Sequence, residues 1–305
     1  MNPERLKKGD KVALVATARR ISQEEIAPTI QLLQSWGLEA VVPNELFAVE
    51  NQMAGDDETR ATVMQKMLDD ESVKAIWCVR GGYGTVRIID RLKFGHFARQ
   101  PKWIIGYSDV TVLHSHIEHN VGIPTLHGTM PINIPEDATA IPYPAIESLK
   151  KALFEGQIHI TFDSNNKNRI GEAEGVIVGG NLSILYSLCG SPSDIETDGK
   201  ILFIEDLDEY LYHIDRMIQN LKRNGKLAKL KGLIVGAMSD MHDNSIPFGK
   251  SAEEIIQEAV NEYTYPVAFG APIGHIGTEN HALALGTKGK LSVGKDRCQI
   301  SVEMR

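Results

Sequence analysis

The sequence predicts an α/β protein in which a parallel sheet flanked by helices is followed by a second, β-rich unit that also carries helices. Short apolar runs alternate with stretches of helical periodicity through roughly the first 130 residues, the pattern of strands joined by helical crossovers. A proline-rich, polar region interrupts this pattern, and mixed strands and helices resume after it. The length of 305 residues fits two domains.

The first domain, residues 1–135, begins with the apolar run KVALVATA, which predicts a buried strand. Ser22 and Glu25 then form a capping box, which opens a helix that ends at Gly37. The next elements are strand LEAVVP, amphipathic helix GDDETRATVMQKMLDD, strand VKAIWCVR, helix-like VRIIDRL, and strand WIIGY before helix VTVLHSHIEH. Parallel strands connected in this way are buried on both faces by helices.

Residues 136–168 are predicted as a linker, because prolines cluster around its start and the polar patch DSNNKN lies near its end. The second domain, residues 169–305, repeats the mixed pattern. Its elements are EGVIVGGN, KILFIEDLDE, helix YHIDRMIQNLKRNG, GLIVGAMSD, helix SAEEIIQEAV, PVAFGAPIGH and short alternating tail strands.

Composition excludes several classes of partner. The net charge of −8 leaves no basic stripe for nucleic acid or an anionic membrane surface. No apolar run approaches the ~18–20 residues of a membrane span, and the N-terminal stretch is too short and too charged for a signal peptide. Cys78, Cys189 and Cys298 are single and far apart, which indicates neither disulfides nor a zinc site. We therefore expect a cytoplasmic protein.

Ser108 is the candidate nucleophile. It follows the apolar strand WIIGY and precedes a helix, so its hydroxyl would lie at a sharp strand-to-helix turn, as in a nucleophile elbow. A serine hydroxyl needs a base that is itself oriented by a carboxylate. Glu205 follows the strand KILFI and His275 follows PVAFGAPIG, each at the carboxyl end of an apolar run, where sites in α/β sheets gather.

Each of these residues also has a structural interpretation. A serine at a helix start is often only an N-cap, and an acid after a strand is often a solvated charge. The acidic run around Glu205, which includes Asp206 and Asp208, favours a solvated face over a cation site. The histidines of HSHIEH do not share one helical face, so we expect core or surface packing there and no metal.

The glycine-rich loop Arg80–Gly84 follows a predicted strand, where backbone N–H groups can approach an anion closely. It lacks both the GK[ST] step and the GxGxxG spacing of phosphate-binding loops. An oxyanion hole beside an acylating serine suits it better, with a plain tight turn as the alternative. We expect the hole to be formed by the backbone N–H groups of Gly82 and Asp109.

Four further residues are expected to contact substrate. Arg80 suits bidentate binding of a terminal carboxylate, although it could equally form a structural ion pair at the strand end. Gly81 and Tyr83 belong to the same loop. Asn181, after IVGG, is an N-cap in the simplest interpretation and a substrate hydrogen-bond partner in the more specific one.

Five segments, taken together, resemble a known family. VRGGYGTVRIID, IIGYSDVT, IVGGNLSIL, KILFIEDLDEYLYHIDRM and APIGHIGTEN are similar to successive signatures of the LD-carboxypeptidase family of serine peptidases, in that family's order. The resemblance implies a triad of Ser108, Glu205 and His275 shared across a cleft between two domains. It also implies a first domain similar to class I glutamine amidotransferases, and it requires no metal or organic cofactor.

The resemblance implies cleavage of the bond between an L-centre and a terminal D-amino acid, typically D-alanine released from a murein tetrapeptide in cytoplasmic cell-wall recycling. A subgroup instead hydrolyses microcin C type peptidyl-nucleotides and gives self-immunity. Homodimers are common in the family. From the residues alone a non-catalytic muropeptide-binding protein stays open, whereas an amidotransferase would need a cysteine at position 108, where this chain has Ser108.

Overall fold

The computed structural model describes residues 2–304 and contains two β-sheets with helices packed against them. The strands within these residues are β1 Lys11–Val15, β2 Glu39–Val41, β3 Val73–Cys78, β4 Trp103–Gly106, β5 Thr125–His127, β6 Gln157–Asp163, β7 Gly171–Asn181, β8 Ile201–Leu207, β9 Gly232–Ser239, β10 Val267–Phe269, β11 Leu283–Leu285, β12 Thr287–Val293 and β13 Arg297–Glu303.

The α-helices of the same part of the chain are α1 Gln23–Ser35, α2 Asp57–Asp69, α3 Gly95–Arg99, α4 Thr111–Val121, α5 Pro144–Glu155, α6 Leu182–Leu188, α7 Leu211–Arg223 and α8 Ala252–Ala259. Short 3-10 helices lie at Asn44–Phe47, Thr85–Arg87, Ile89–Arg91, Ser108–Val110, Pro131–Asn133 and Gly277–Glu279. The segment VRIIDRL, predicted as helix-like, forms two of these 3-10 helices rather than an α-helix. None of the described helices is long and apolar enough to cross a membrane.

Local sequence accounts for the helix starts. Ser22 caps α1 with the predicted capping box, because its hydroxyl accepts from the Glu25 N–H while the Glu25 carboxylate accepts from the Ser22 N–H. Asp56 caps α2 by accepting from the Thr59 N–H, and Asp57 and Glu58 follow in its first turn. Asn181 caps α6. These caps satisfy N–H groups that the helices leave free.

The first sheet has the strand order β11-β5-β4-β3-β1-β2. Its strands β2, β1, β3, β4 and β5 are parallel, as predicted. The edge strand β11 is antiparallel to β5 and comes from the C-terminal part of the chain. The first sheet is therefore completed by a segment that the sequence had assigned to the second domain.

The second sheet has the order β10-β9-β8-β7-β12-β13-β6. Strands β7 to β10 are parallel, and β12, β13 and β6 extend the sheet in antiparallel fashion. The region 136–168, predicted as a linker, contains α5 and β6, and β6 pairs along its full length with β13. Its buried residues alternate with exposed ones, the pattern of a half-buried strand.

One apolar core joins the two sheets. It includes Trp77 and Trp103 of the first sheet together with Phe203 and Ile234 of the second, all buried. The two halves also meet where α4 packs on β7, close to the carboxyl ends of β4 and β8. Ligand sites in parallel α/β sheets lie at such ends, so the packing brings two candidate edges together.

Candidate active site

Ser108 lies on a strained turn between β4 and α4. Its φ is 62°, in the left-handed region that residues other than glycine seldom adopt. The residue starts the 3-10 helix Ser108–Val110, which runs on into α4. The predicted strand, sharp turn and helix are all present, and the strained backbone is the geometry of a nucleophile elbow.

Glu205 lies within the buried strand β8. The pairing of β8 with β9 shifts register between Ile204 and Asp206, and such irregularities re-aim a side chain within a sheet. The Glu205 side chain is fully buried, and a Cβ built on Gly274 would lie 2.7 Å from its Oε2. Glycine at position 274 therefore leaves the room that this carboxylate occupies.

His275 follows β10 and binds this carboxylate. Its Nδ1 lies 2.6 Å from Glu205 Oε2, and the imidazole is 13% exposed. Further support comes from Ser239, whose hydroxyl donates to the His275 carbonyl at 2.8 Å. A carboxylate on Nδ1 orients the ring and leaves Nε2 for proton transfer.

Tyr107 connects the serine turn to the histidine. Its ring packs on the His275 ring with centroids 4.6 Å apart, and its hydroxyl donates to Asn133 Oδ1 at 3.1 Å. Burial, and then the charge of Glu205, raise the pKa of Tyr107 above its usual value. Among the described residues neither Ser108 Oγ nor His275 Nε2 makes a hydrogen bond. The structure thus joins Glu205 to His275 directly and brings the residue next to Ser108 against that pair.

A chain of polar contacts runs behind the site from one half of the protein to the other. The Thr111 hydroxyl, one turn after Ser108, accepts from the Asn181 N–H at 3.0 Å. The Asn181 amide donates to Asp206 Oδ1 at 2.8 Å, and Asp206 precedes Leu207 and follows Glu205 in β8. These contacts tie the elbow to the strand that carries the acid.

Asn181 is 3% exposed, and its side chain is engaged within the protein. Its amide nitrogen donates to Asp206, and its Oδ1 accepts from the Ile184 N–H at 3.2 Å and from the Ser183 hydroxyl at 2.8 Å. The capping interpretation is confirmed. A contact between Asn181 and substrate stays a prediction.

The glycine loop Arg80–Gly84 lies against the nucleophile. A Cβ built on Gly81 would be 3.1 Å from Ser108 Oγ. Within the part of the chain that the structure describes, neither the backbone N–H groups of this loop nor that of Asp109 reaches a protein acceptor. Unpaired N–H groups beside a serine are what an oxyanion hole requires.

Two buried charged residues, Arg60 and Asp109, hold the end of this loop. Arg60 is 2% exposed, and its Nη1 donates to the carbonyls of Thr17 at 2.7 Å and Gly84 at 3.0 Å, while its Nη2 pairs with Asp57. The Asp109 carboxylate accepts from the Thr85 N–H at 2.9 Å, and burial raises its pKa. The helix residue Arg60 and the elbow residue Asp109 therefore hold the same peptide group, between Gly84 and Thr85, from its carbonyl side and its N–H side.

Arg80 and Tyr83 lie at the outer side of the loop. Arg80 Nη1 is 3.3 Å from Glu25 Oε1, so the ion pair considered as its alternative role is formed. Tyr83 is 48% exposed. Both side chains border solvent, and a contact of either with substrate stays a prediction.

Some buried polar residues were missed or misread in the sequence. Asp206, assigned to a solvated acidic face, is 1% exposed. Burial, and then the charge of Glu205, raise its pKa to about 7. The signal was its place between the apolar run ILFI and Leu207 within one strand. Arg60 and Tyr107 gave no comparable signal, because their roles depend on contacts between distant segments.

Histidines near the site are packed rather than clustered. His114 contacts the Thr125 hydroxyl at 2.8 Å and the Gly106 carbonyl at 2.9 Å, and burial lowers its pKa to about 4. His127 is fully buried, and burial lowers its pKa well below its usual value. In residues 2–304 no group of three or more His, Cys, Asp or Glu side chains is placed to hold a metal ion.

Comparison with known proteins gives matches over nearly the whole chain. A probable murein peptide carboxypeptidase of Bacillus subtilis (strain 168) is 35% identical over 301 residues, covering 96% of this chain and 92% of that protein. The murein tetrapeptide carboxypeptidase of Pseudomonas aeruginosa is 28% identical over 286 residues, covering 90% and 91%.

Solved structures match the fold. The muramoyltetrapeptide carboxypeptidase of Oxalobacter formigenes superposes with a TM-score of 0.87 at 25% identity, covering 96% of this chain and 99% of that one. MccF in complex with glutamyl sulfamoyl guanosine superposes with a TM-score of 0.84 at 22% identity, covering 99% and 98%. The second likeness concerns the fold alone.

Two family models match successive parts of the chain. The LD-carboxypeptidase N-terminal domain matches residues 12–128, which include Ser108. The LD-carboxypeptidase C-terminal domain matches residues 174–291, which include Glu205 and His275. The chain belongs to the LD-carboxypeptidase family.

Proposed function

We propose that this protein is a serine carboxypeptidase that hydrolyses an L,D-peptide bond and releases terminal D-alanine from a murein tetrapeptide. The observation that carries the proposal is the 2.6 Å contact of Glu205 with His275, packed through Tyr107 onto a serine in left-handed conformation. The names of the Bacillus and Pseudomonas relatives supply the substrate class.

The proposed chemistry is acyl transfer. Ser108 Oγ attacks the carbonyl carbon of the scissile bond while His275 Nε2 takes the hydroxyl proton. The tetrahedral intermediate collapses as His275 returns that proton to the leaving nitrogen, which frees D-alanine. Water then attacks the ester on Ser108 in the same way, and the shortened peptide leaves. Glu205 orients the ring and stabilises the imidazolium in both steps.

The negative charge of each tetrahedral intermediate falls to the backbone N–H groups of Gly82 and Asp109. Neither reaches an acceptor within residues 2–304, and Asp109 directly follows the nucleophile. One such donor is worth about 3–4 kcal/mol of transition-state stabilisation in comparable enzymes. Gly81, Tyr83 and Asn181 complete the proposed set of substrate contacts.

The proposed reaction belongs to cell-wall peptide recycling in the cytoplasm. The unpaired cysteines Cys78, Cys189 and Cys298 suit that reducing compartment. A homodimer is part of the same proposal, and light scattering of the purified protein measures it.

Mass spectrometry of a murein tetrapeptide incubated with wild type and Ser108→Ala protein tests the proposal. We expect wild type to release D-alanine and the variant to lose at least ~10³-fold in turnover. A fluorophosphonate probe should label wild type and not the variant. Circular dichroism of both proteins checks that the fold is unchanged.

Two comparison substrates distinguish the proposed activity from its alternatives. A tetrapeptide that ends in L-alanine should stay intact, because the proposed activity is specific for a terminal D-residue. An aminoacyl sulfamoyl adenosine tests the microcin type alternative. Cleavage of that conjugate alone would replace the proposed substrate. A folded Ser108→Ala protein with wild-type activity would refute the mechanism. Saturable binding of the tetrapeptide without product would favour a non-catalytic muropeptide-binding protein.

A further inference from the structure

An open cavity of about 670 Å³ lies beside the glycine loop, among residues that follow strands β1 and β3. Its lining contains three arginines, Arg19, Arg20 and Arg80, and one carboxylate, Glu25. The chain as a whole carries a net charge of −8. A locally positive cavity in an acidic protein attracts an anionic group to that place.

The charges in this cavity are unequally compensated. Glu25 Oε2 accepts from the Ser22 N–H at 2.8 Å, and its Oε1 faces Arg80 Nη1 at 3.3 Å, so Glu25 balances Arg80. The Arg19 and Arg20 side chains form no ion pair or hydrogen bond with any described residue. Since guanidinium groups stay protonated, two positive charges in the cavity face solvent unpaired.

Two consecutive glycines separate the cavity from the nucleophile. A Cβ on Gly81 would lie 3.1 Å from Ser108 Oγ, and a Cβ on Gly82 would lie 2.7 Å from Arg19 Nε. Because neighbouring Cα atoms are about 3.8 Å apart, Arg19 Nε is within about 13 Å of Ser108 Oγ. Position 82 must also be glycine here, since its φ is 111° and the Arg19 stem fills the space of a side chain.

We propose that Arg19 and Arg20, rather than Arg80, bind the free carboxylate of the peptide substrate on its leaving-group side. The inference rests on the proposed carboxypeptidase function. A terminal carboxylate lies about 4 Å from the scissile carbonyl carbon, which itself lies ~3 Å from the attacking oxygen. With an arginine contact of about 3 Å, a bound substrate reaches roughly 10 Å from Ser108 Oγ, which is comparable with the separation from Arg19 Nε of at most about 13 Å.

Arg80 has a different role in this arrangement. Its ion pair with Glu25 and its 3.4 Å contact with the Arg20 carbonyl hold the end of β3 against the start of α1. Arg80 therefore positions the cavity wall, and Arg19 and Arg20 present the free charges. In this arrangement, Arg19 and Arg20 make cleavage depend on a free carboxylate at the end of the peptide.

Kinetics on a paired substrate test the inference. The tetrapeptide with a D-alanine carboxylate is compared with the same peptide as its C-terminal amide, for wild type, Arg19→Gln, Arg20→Gln and Arg80→Gln. We expect Arg19→Gln to lower kcat/KM for the acid ~10- to 100-fold, mainly through KM, and to leave the amide rate unchanged. Arg223→Gln, on the exposed last turn of α7, is the matched control and should leave both rates unchanged.

Binding to a Ser108→Ala background separates this inference from the proposed reaction. Calorimetry with the acid and amide peptides should show a preference for the acid that Arg19→Gln removes. If wild type cleaves neither peptide but this preference holds, the proposed function fails and the carboxylate site stands. If cleavage occurs and Arg19→Gln lowers acid and amide equally, or only Arg80→Gln removes the preference, the carboxylate site is wrong and the function stands.

Discussion

At Ser108 a single residue carries backbone strain that the surrounding fold must hold. A non-glycine residue at φ 62° costs about 1–3 kcal/mol, and it persists because β4 and α4 fix the chain on both sides. The sequence pattern located this turn, since an apolar strand that runs into a helix start is a local signal. The left-handed conformation has no local signal, because residue types such as serine do not require it.

Gly81 offers a direct test of how closely the glycine loop approaches the nucleophile. In Gly81→Ala the new Cβ would lie 3.0 Å from Ser108 Cβ and 3.1 Å from its Oγ, so the hydroxyl must move by several tenths of an ångström. We expect kcat to fall ~10- to 100-fold with a change in unfolding free energy of about 1 kcal/mol or less.

Gly95→Ala is the matched control for that variant. Neither Gly81 nor Gly95 has a left-handed φ, and a Cβ at position 95 meets no atom within 4 Å. Steady-state kinetics and urea unfolding of both variants give the comparison. Equal kcat for Gly81→Ala and wild type would mean that the loop does not constrain the serine.

At the scale of elements, local patterns predicted helices and strands that one segment determines, and missed strand pairings that depend on two distant segments. The capping box of α1, the amphipathic helix α2 and the apolar strand β8 were all predicted and are all present. Strand β6 was assigned to a linker because its neighbourhood is polar, yet it pairs with β13. The edge strand β11 joins the first sheet, a pairing that no periodicity within its three residues could indicate.

Arg60 couples helix α2 to the glycine loop, and its replacement should affect both stability and turnover. Arg60→Lys keeps the charge but loses the planar fork that reaches Thr17, Gly84 and Asp57 together. Because the charge is buried, we expect the free energy of unfolding to fall by about 2–4 kcal/mol. We also expect a lower kcat, since the N–H groups of the loop are no longer held in place.

Arg91→Lys serves as the control, because Arg91 pairs with Glu58 on the exposed face of the same helix and such pairs contribute less than about 1 kcal/mol. Urea unfolding and kcat are measured for both variants. Equal losses in the two would show that Arg60 does not support the loop.

At the scale of the whole molecule, the two sheets share one core and form one site. Residues of both halves pack into a single apolar cluster, and the contact of Thr111 with Asn181 leads from the serine turn to the strand of Glu205. The sequence pattern placed a boundary in residues 136–168, and the two family models match residues 12–128 and 174–291 on either side of it. It could not show that β11 returns to the first sheet, because that depends on how the two halves pack.

This shared interior also contains titratable groups that make stability depend on pH in opposite directions. Burial lowers the pKa of His114 to about 4, so the unfolded chain binds more protons between pH ~4 and ~6.5, and stability rises with pH in that window. Burial and Glu205 raise the pKa of Asp206 from 3.8 to about 7. Here the native state binds more protons between pH ~4 and ~7, so this group's contribution falls as pH rises.

The two contributions can be separated with Asp206→Asn. The variant loses an acceptor for the Ser183 N–H, which shifts stability by an amount that does not depend on pH. It also loses the titration, so its free energy of unfolding minus that of wild type should increase by about 2–3 kcal/mol from pH 5 to pH 8. Urea unfolding at pH 5, 6, 7 and 8 measures this difference. Asp163→Asn, at an exposed carboxylate that forms no ion pair or hydrogen bond with any described residue, is the control and should give a curve parallel to wild type. A parallel curve for Asp206→Asn would mean that the buried carboxyl does not retain its proton near neutral pH.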